Sequence, residues 1–352
     1  MDRCRRKQLK ALSLGVAAGL LQPTWLGRAA AQPRVAEGGQ ALAINLLGFS
    51  LGIHVPAIAG ALDLLPATPG YAAPKVTRIP QNRTLTQNLI SGNADIAETD
   101  VVTIVQAVEA GADLKMIGNV YNNTSIVFVA NADKVQEIKD LEKSDVTVAV
   151  NGVGDVSHIM LVGPLVKRGV DLKKVKVIEI GGSGDRMRAL LAKRVDAVPI
   201  HFDQVASIAD KGNFKILFKP WQEYPVWITE AWAVNTAWLK KPENQRIAVD
   251  FMKAVIVASR RANTDLTWYV EKYRKHCTLP NAAQSTEEQL RPVWGELSRE
   301  IKAWPPSNNF SVENVRQLLP VFKAAQAITG TANADALVDV TFTQQALKEL
   351  GG

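Results

Sequence analysis

Carboxylate, hydroxyl and imidazole groups stand directly after short apolar runs of the chain, where they could bind a ligand or transfer a proton. Glu98, Thr99 and Asp100 follow the run 96–97, Gly154 and Asp155 follow 146–150, and His201 follows 195–200. In open α/β sheets, ligands bind at the carboxyl ends of strands, next to helix N-termini. We therefore predict a ligand cleft at these positions.

The histidines and cysteines do not form a catalytic or metal-binding pattern. His201 could act as a general base or metal ligand, but the chain has four histidines and no H-E-x-x-H spacing. Cys4 precedes a predicted cleavage site, which leaves Cys277 alone in the mature chain. We expect no metal, no cofactor and no disulfide, and we interpret His201 as a hydrogen-bonding residue of the cleft.

Apolar spacing predicts the elements that position these residues. Residues 85–90 and 101–110 have helical spacing, whereas 96–97 and 114–117 are expected to be strands. The same alternation of strand and helix continues through 146–218, and residues from 242 onward are mostly helical. This pattern predicts an α/β fold with open sheets. The glycine-rich turns at 151–154 and 181–184 do not fit G-x-G-x-x-G, so we expect no nucleotide site.

The N-terminus is predicted to be an export signal over residues 1–31. Basic residues precede the apolar run 11–21, and three alanines at 29–31 form a cleavage site. Arg5 and Arg6 resemble the start of a twin-arginine motif, although an ordinary secretory signal remains the alternative. The formal net charge is +7, of which residues 1–31 carry +6 − 1 = +5. The remaining +2 gives no indication of a nucleic-acid partner.

Several segments together resemble a known family. SGNADIAETD, AVEAGADLKMIG, IKDLEKSDVTVAVNGVGDVSH, LVKRGVDLKKVKVIEIG and ALLAKRVDAVPIHFDQVASI occur in this order. They resemble periplasmic substrate-binding proteins of ABC transporters, in the nitrate/taurine/sulfonate group that includes the thiamine-pyrimidine-precursor (NMT1/THI5-like) binders. The resemblance implies a bilobal type II periplasmic-binding-protein fold, with two open α/β sheets joined by hinge strands.

The resemblance also implies a domain organisation and partners. Lobe 1 would comprise residues 38–125 plus 228–350, and lobe 2 residues 126–227. Ligand contacts are expected in the first loop, at Phe49, Ser50 and His54, and in the hinge, at Asn122 and Asn123. Trp227, beside the return hinge, is a further candidate. A soluble, monomeric periplasmic protein would close on its ligand and deliver it to an ABC permease in the membrane.

Two aspartates bear on the ligand's charge. Asp100 and Asp155 each precede a predicted helix, and aspartate is a favoured N-cap residue. Their carboxylates would occupy the amides that otherwise attract anions, and Glu98 adds further negative charge. Both residues could be caps and nothing more. We nevertheless expect a neutral or amine-bearing organic ligand, such as a pyrimidine-like metabolite, over an inorganic anion.

Two other functions remain open at this point. Fungal pyrimidine-precursor synthases share the fold that the resemblance implies, but they carry a cysteine-rich iron-binding motif that this sequence lacks. A periplasmic sensory ligand-binding protein would have the same cleft and a signalling partner. We expect a binding protein without enzymatic activity.

Overall fold

Two five-stranded sheets form the framework of the protein in a computed structural model that describes residues 41–205, 207–224 and 226–351. The first sheet has the order β2-β1-β3-β10-β4 and the second the order β7-β6-β8-β5-β9. The ten strands are β1 Ala43–Leu47, β2 Lys75–Ile79, β3 Ile96–Asp100, β4 Leu114–Asn122, β5 Ile126–Asn131, β6 Val148–Val150, β7 Val177–Glu179, β8 Ala197–His201, β9 Phe214–Phe218 and β10 Ile228–Asn235.

Each sheet combines parallel strands with one antiparallel strand that comes from a distant part of the chain. In the first sheet, β1 pairs parallel with β2 and β3, while β10 lies antiparallel between β3 and β4. In the second sheet, β6 pairs parallel with β7 and β8, and β5 lies antiparallel between β8 and β9. The chain therefore passes to the second sheet after β4 and returns to the first with β10.

Helices cover the sheets and make up most of the chain after β10. They are α1 Val55–Ala59, α2 Asn82–Ile90, α3 Val101–Glu109, α4 Val156–Lys167, α5 Ser183–Leu191, α6 Phe202–Val205, α7 Pro220–Glu223, α8 Thr236–Leu239, α9 Pro242–Thr264, α10 Leu266–His276, α11 Glu287–Gly295, α12 Val312–Arg316, α13 Leu319–Ala324, α14 Ala334–Leu337 and α15 Thr341–Glu349. No described helix is both long and apolar enough to cross a membrane.

The first helix continues as a π-helical turn, Gly60–Leu64, which packs directly on α9. A Cβ atom at Gly60 would lie 2.7 Å from the Cα of Val255. Since real Cβ atoms do not approach a backbone this closely, only glycine permits the two helices to touch here. This contact fixes the element that follows the first loop against the longest helix of the chain.

Two strands of the first sheet are longer than their apolar runs predict. β3 extends through Asp100 and β4 through Asn122, whereas strands were expected over 96–97 and 114–117. Both strands pair with β10, which supplies backbone partners beyond the apolar residues. The expectation that Glu98 and Thr99 follow a strand is therefore wrong, because they lie within it.

The Asn308 side chain and the Ala303 carbonyl cover the outer edge of β4. The Asn119 N–H donates to Asn308 Oδ1 at 2.8 Å, and Asn308 Nδ2 donates back to the Asn119 carbonyl at 2.9 Å. The N–H of Asn122 donates to the Ala303 carbonyl at 2.7 Å. The segment around residues 303–308 thus takes the place of a sixth strand and satisfies backbone groups that would otherwise be unpaired.

The C-terminal helices contact both sheets. α15 packs on β4 of the first sheet and on α9, whereas α13 packs on α4, which covers the second. The side chain of Phe322 in α13 is 2% exposed and lies edge-on to Trp227, with 6.3 Å between the ring centroids. The chain after β10 therefore stabilises contacts with the second sheet as well as the first.

Candidate functional site

Three carboxylates meet where β3 ends and β10 begins. Glu230 lies opposite Asp100 in the antiparallel pair, and Trp232 lies opposite Glu98. Residues opposite each other in such a pair, and residues two apart along a strand, share one face of a sheet. Glu98, Asp100 and Glu230 therefore project from the same face, and all three are at least 94% buried.

His54 joins these carboxylates from the loop that follows β1. Its Nδ1 atom accepts a hydrogen bond from the Leu51 N–H at 3.1 Å, so the ring proton of the neutral imidazole is on Nε2. That Nε2 atom lies 3.4 Å from Glu230 Oε2, but neither atom makes a well-aligned hydrogen bond. The Tyr121 ring packs edge-on against the imidazole at 5.1 Å, and Phe49 does so at 5.9 Å.

Burial raises the pKa values of the carboxyl groups in this cluster. Burial and the charge of Glu230 raise the pKa of Glu98 to about 8, although the Leu47 N–H and His54 oppose the shift. Burial raises the pKa of Asp100 to about 6, despite the N–H of Thr103 at 2.7 Å from its carboxylate. At neutral pH the Glu98 side chain is therefore mostly protonated.

The neighbouring side chains are shifted as well. Burial by itself would lower the pKa of His54, but the adjacent Glu230 and Glu98 outweigh burial, and the pKa is raised overall. Burial and the same two carboxylates raise the pKa of Tyr121 well above its usual range, so its hydroxyl stays protonated. The cluster therefore combines carboxyl oxygens that accept hydrogen bonds with a tyrosine hydroxyl and an imidazole N–H that donate them.

The second sheet contributes polar groups that face this cluster. Burial lowers the pKa of His201 to about 3, with further lowering from His54 and Arg186. Burial raises the pKa of Asp203 to about 6, and the charge of Asp155 contributes to the raised pKa of Asp100. Because such effects weaken with distance, the loop that carries His54 lies near the end of β8.

A metal ion is the first occupant to consider for His54, Glu98 and Glu230, since one ligand atom from each lies within 4.8 Å of the others. A histidine that binds metal through Nε2 normally donates its Nδ1–H to an acceptor. Here Nδ1 instead accepts the Leu51 N–H, which places the proton on Nε2. The imidazole orientation therefore does not fit metal ligation, and we derive no metal chemistry from the cluster.

Sequence comparison gives a family for this chain. A profile described as NMT1/THI5 like matches residues 75–262, which is more than half of the chain and includes β3, β10 and the second sheet. The chain belongs to the NMT1/THI5-like family. No curated protein sequence matches it.

Solved structures show which fold this NMT1/THI5-like chain has. A putative sulfonate-binding periplasmic protein from Methylobacillus flagellatus KT superposes with a TM-score of 0.67 at 17% identity, covering 90% of this chain and 96% of that one. The nitrate-binding protein NrtA from Synechocystis PCC 6803 superposes with a TM-score of 0.65 at 11% identity, covering 89% of each chain. The ligand-binding component of an ABC-type import system from Staphylococcus aureus, solved with zinc bound, superposes with a TM-score of 0.67 at 12% identity, covering 87% of this chain and 98% of that one. The fold is that of periplasmic binding proteins, as predicted.

Several predicted site residues lie in loops or at helix starts. Phe49 is 42% exposed beside His54, and Gly154 adopts a φ of 84° in the turn before α4. Asp100 and Asp155 both cap helices, because Asp100 accepts the Thr103 N–H and Asp155 the His158 N–H at 3.0 Å. The prediction that these two carboxylates bond the helix amides themselves is confirmed.

Other predicted residues make structural contacts. The Ser50 hydroxyl donates to the His276 carbonyl, and the Thr99 hydroxyl lies 3.3 Å from Asn82 Oδ1 on the opposite face of the sheet. Trp227 is 2% exposed and packs against Tyr224 as well as Phe322.

Both asparagines predicted to lie in the hinge are at the passage between the sheets. The N–H of Asn123 donates to the Trp227 carbonyl at 2.6 Å, and the Thr229 hydroxyl donates to the Asn123 carbonyl at 2.6 Å. The side-chain Nδ2 of Asn122 donates to the Lys302 carbonyl at 3.4 Å. The two chain crossings therefore lie side by side.

Sequence reasoning missed Glu230 as a candidate ligand residue and did not single out Tyr121. A signal existed for Glu230, since it is the one charged residue within the apolar run 228–234. A carboxylate inside a buried strand costs free energy and commonly marks a functional site. Its position opposite Asp100 depends on the pairing with β10, which the sequence does not specify.

Proposed function

We propose that the protein is an extracytoplasmic solute-binding protein that captures a small organic metabolite by hinge closure and delivers it to an ABC permease. The observation that carries the proposal is the cluster of buried polar groups His54, Glu98 and Glu230, with the half-buried His201 and Asp203 of the second sheet close enough to His54 to feel its charge. Buried polar groups without hydrogen-bond partners at a junction of two sheets are typical of a ligand site.

The moving parts would be two lobes, with residues 38–125 plus 228–350 in lobe 1 and 126–227 in lobe 2. The crossings at Asn123 and Trp227 are short, adjacent and bonded to each other. A ligand that touches both lobes binds the closed state better and shifts the population toward it. Helix α13, from the C-terminal segment, packs on α4 of lobe 2. When the two lobes move apart, α13 must therefore either leave α4 or move together with it.

The charges of the cleft favour a neutral or amine-bearing organic ligand over an inorganic anion. Asp100 and Asp155 already occupy the starts of α3 and α4, where unpaired amides would otherwise attract an anion. Glu98 and Glu230 add two buried carboxyl groups to the same region.

Nitrate, sulfate and methanesulfonate should therefore give no binding heat in calorimetric titrations at neutral pH and millimolar concentration. The variant Asp100→Gly with Asp155→Ser frees one helix start and keeps a cap at the other, so we expect it to gain weak anion binding. Glu288→Gln, at an exposed residue of α11, removes a charge outside the cleft and should gain none. Tight binding of any of these anions by the unchanged protein would refute the proposed ligand class.

An enzymatic role is the second candidate, because the family resemblance extends to pyrimidine-precursor synthases. We propose that this chain is a binding protein instead. Cys277 is the single cysteine in the described residues, and its side chain is buried. Incubation of candidate pyrimidine precursors with the protein, followed by mass spectrometry, would detect turnover if the proposal is wrong.

We further propose that the protein works in the periplasm as a soluble monomer. The export signal predicted for residues 1–31 lies outside the described residues, so its support is the sequence pattern. Replacing Arg5 and Arg6 by lysine should retain the precursor in the cytoplasm, as measured by cell fractionation. Unchanged export of this variant would indicate the general secretory route.

A further inference from the structure

Glu98 and Glu230 form a pair of buried carboxyl groups beside His54. We propose that this pair is the subsite for a primary ammonium group of the ligand, and that the ammonium enters in exchange for a proton held by the pair. The inference rests on the proposed solute-binding function, and it names the charged part of the ligand and the residues that recognise it.

Three polar atoms in this cluster have no hydrogen-bond partner although they are inaccessible to water. They are Glu98 Oε1, Glu230 Oε2 and His54 Nε2, in residues that are 0%, 6% and 1% exposed. An unsatisfied buried acceptor costs roughly 1–3 kcal/mol, and more when it is charged. His54 Nε2 carries a proton and is itself a donor, but a group that donates hydrogen bonds to the two carboxyl oxygens would recover their share of that free energy, so these oxygens point to a ligand.

The spacing of the atoms suits an ammonium nitrogen. An N⁺–H···O⁻ bond is about 2.8 Å long, so tetrahedral donors reach acceptors that lie about 4.6 Å apart. The ligand atoms of the cluster lie within 4.8 Å of one another. A dication would instead need His54 to present a lone pair at Nε2, which the Leu51 N–H on Nδ1 prevents.

The empty pair holds a proton because two carboxylates this close cannot both be ionised in a buried site. Among the groups that face the pair, His54 opposes the raised pKa of Glu98, but burial and the charge of Glu230 outweigh it. These groups are His54 from the first loop, Asp100 on β3, Tyr121 on β4, and Asp155, His201 and Asp203 from the second sheet, with Arg186 acting on His201.

Ligand entry supplies the missing positive charge. Contact with a cation lowers a carboxyl pKa by about 1–3 units. Glu98, which is protonated in the ligand-free site, therefore releases its proton near neutral pH when the ammonium binds. The protonated amine keeps its own charge and the proton passes to solvent, so no bond other than the O–H of the carboxyl breaks. Affinity for the amine should therefore rise with pH.

The test uses methylammonium chloride as the probe and thermal unfolding as the readout. An aliphatic amine has a pKa of about 10.4, so the probe stays charged between about pH 6.5 and pH 8. Methylammonium should raise the melting temperature above that in equimolar sodium chloride or tetramethylammonium chloride, which has the charge but no N–H donors. We expect its apparent affinity to increase several-fold over this pH range.

Variants identify the residues involved. Glu98→Gln and Glu230→Gln keep the size of the side chain and should lose the methylammonium effect and its pH dependence, whereas Glu288→Gln should retain both. Equal stabilisation of the unchanged protein by tetramethylammonium or sodium would overturn the proposal, as would an affinity independent of pH. Saturable stabilisation by zinc that Glu98→Gln abolishes would identify a metal site instead. The comparison of salts does not depend on the folding of any variant.

Failure of this inference differs from failure of the proposed function. A neutral metabolite that closes the unchanged protein and Glu98→Gln equally, as measured by solution scattering, would refute the ammonium subsite and leave solute binding intact. Methylammonium binding at the pair, without closure by any metabolite, would support the subsite and refute solute capture by hinge closure.

Discussion

The ligand-free protein should lose about 2 kcal/mol of unfolding free energy between pH 6.5 and pH 8, because Glu98 keeps its proton in the folded state over this range. The unfolded chain releases that proton near pH 4.5, so the folded state binds more protons between the two pKa values. Stability therefore falls as pH rises toward the folded pKa of about 8. The raised pKa of His54 acts in the same direction, whereas the lowered pKa of His201 affects stability only below about pH 6.5.

Urea denaturation of dialysed protein at both pH values measures this effect. Glu98→Gln cannot release a proton, so its stability should change less with pH and should exceed that of the unchanged protein at pH 8. Glu288→Gln should show the slope of the unchanged protein. Equal stability of the unchanged protein at both pH values would mean that Glu98 is ionised throughout, and the account of the buried pair would then be wrong.

Replacing Asn308 by alanine should destabilise the protein by about 2–4 kcal/mol, since it leaves the buried N–H and carbonyl of Asn119 without partners. The outer edge of β4, the strand that carries Tyr121, would lose the hydrogen bonds that Asn308 makes to it. Two-state urea unfolding measures the change.

Asn309→Ala is the matched control for this substitution. Asn308 and Asn309 both have positive φ values, 65° and 50°, so alanine is strained at both positions. The Asn309 side chain accepts only the hydroxyl of Ser307 at the surface. If the two alanine variants were equally stable, the side-chain bonds of Asn308 would contribute nothing to the edge of β4.

Local features of the fold can be predicted from the sequence because they depend on neighbouring residues. The helix that Asp100 caps follows from an N-cap aspartate before an apolar stripe, and the helix after Asp155 follows from the same pattern. The buried strand Ile126–Asn131 follows from its β-branched and aromatic residues.

Features that depend on distant partners could not be predicted. β10 comes from far along the chain, and its antiparallel pairing both lengthens β3 and places Glu230 beside Glu98. The role of Asn308 likewise requires knowledge of which strand edge it covers. Hydrophobic periodicity specifies which face of a strand is buried, but not which strand lies next to it.

Solution scattering before and after saturation with ligand tests the central claim most directly. The ligand would be the most stabilising compound from a thermal-shift screen of amine-bearing and neutral organic metabolites, since a ligand that binds only the closed state raises stability by mass action. Solute capture by hinge closure predicts that the radius of gyration decreases at saturation. A scattering profile that stays unchanged while the site is fully occupied would contradict it.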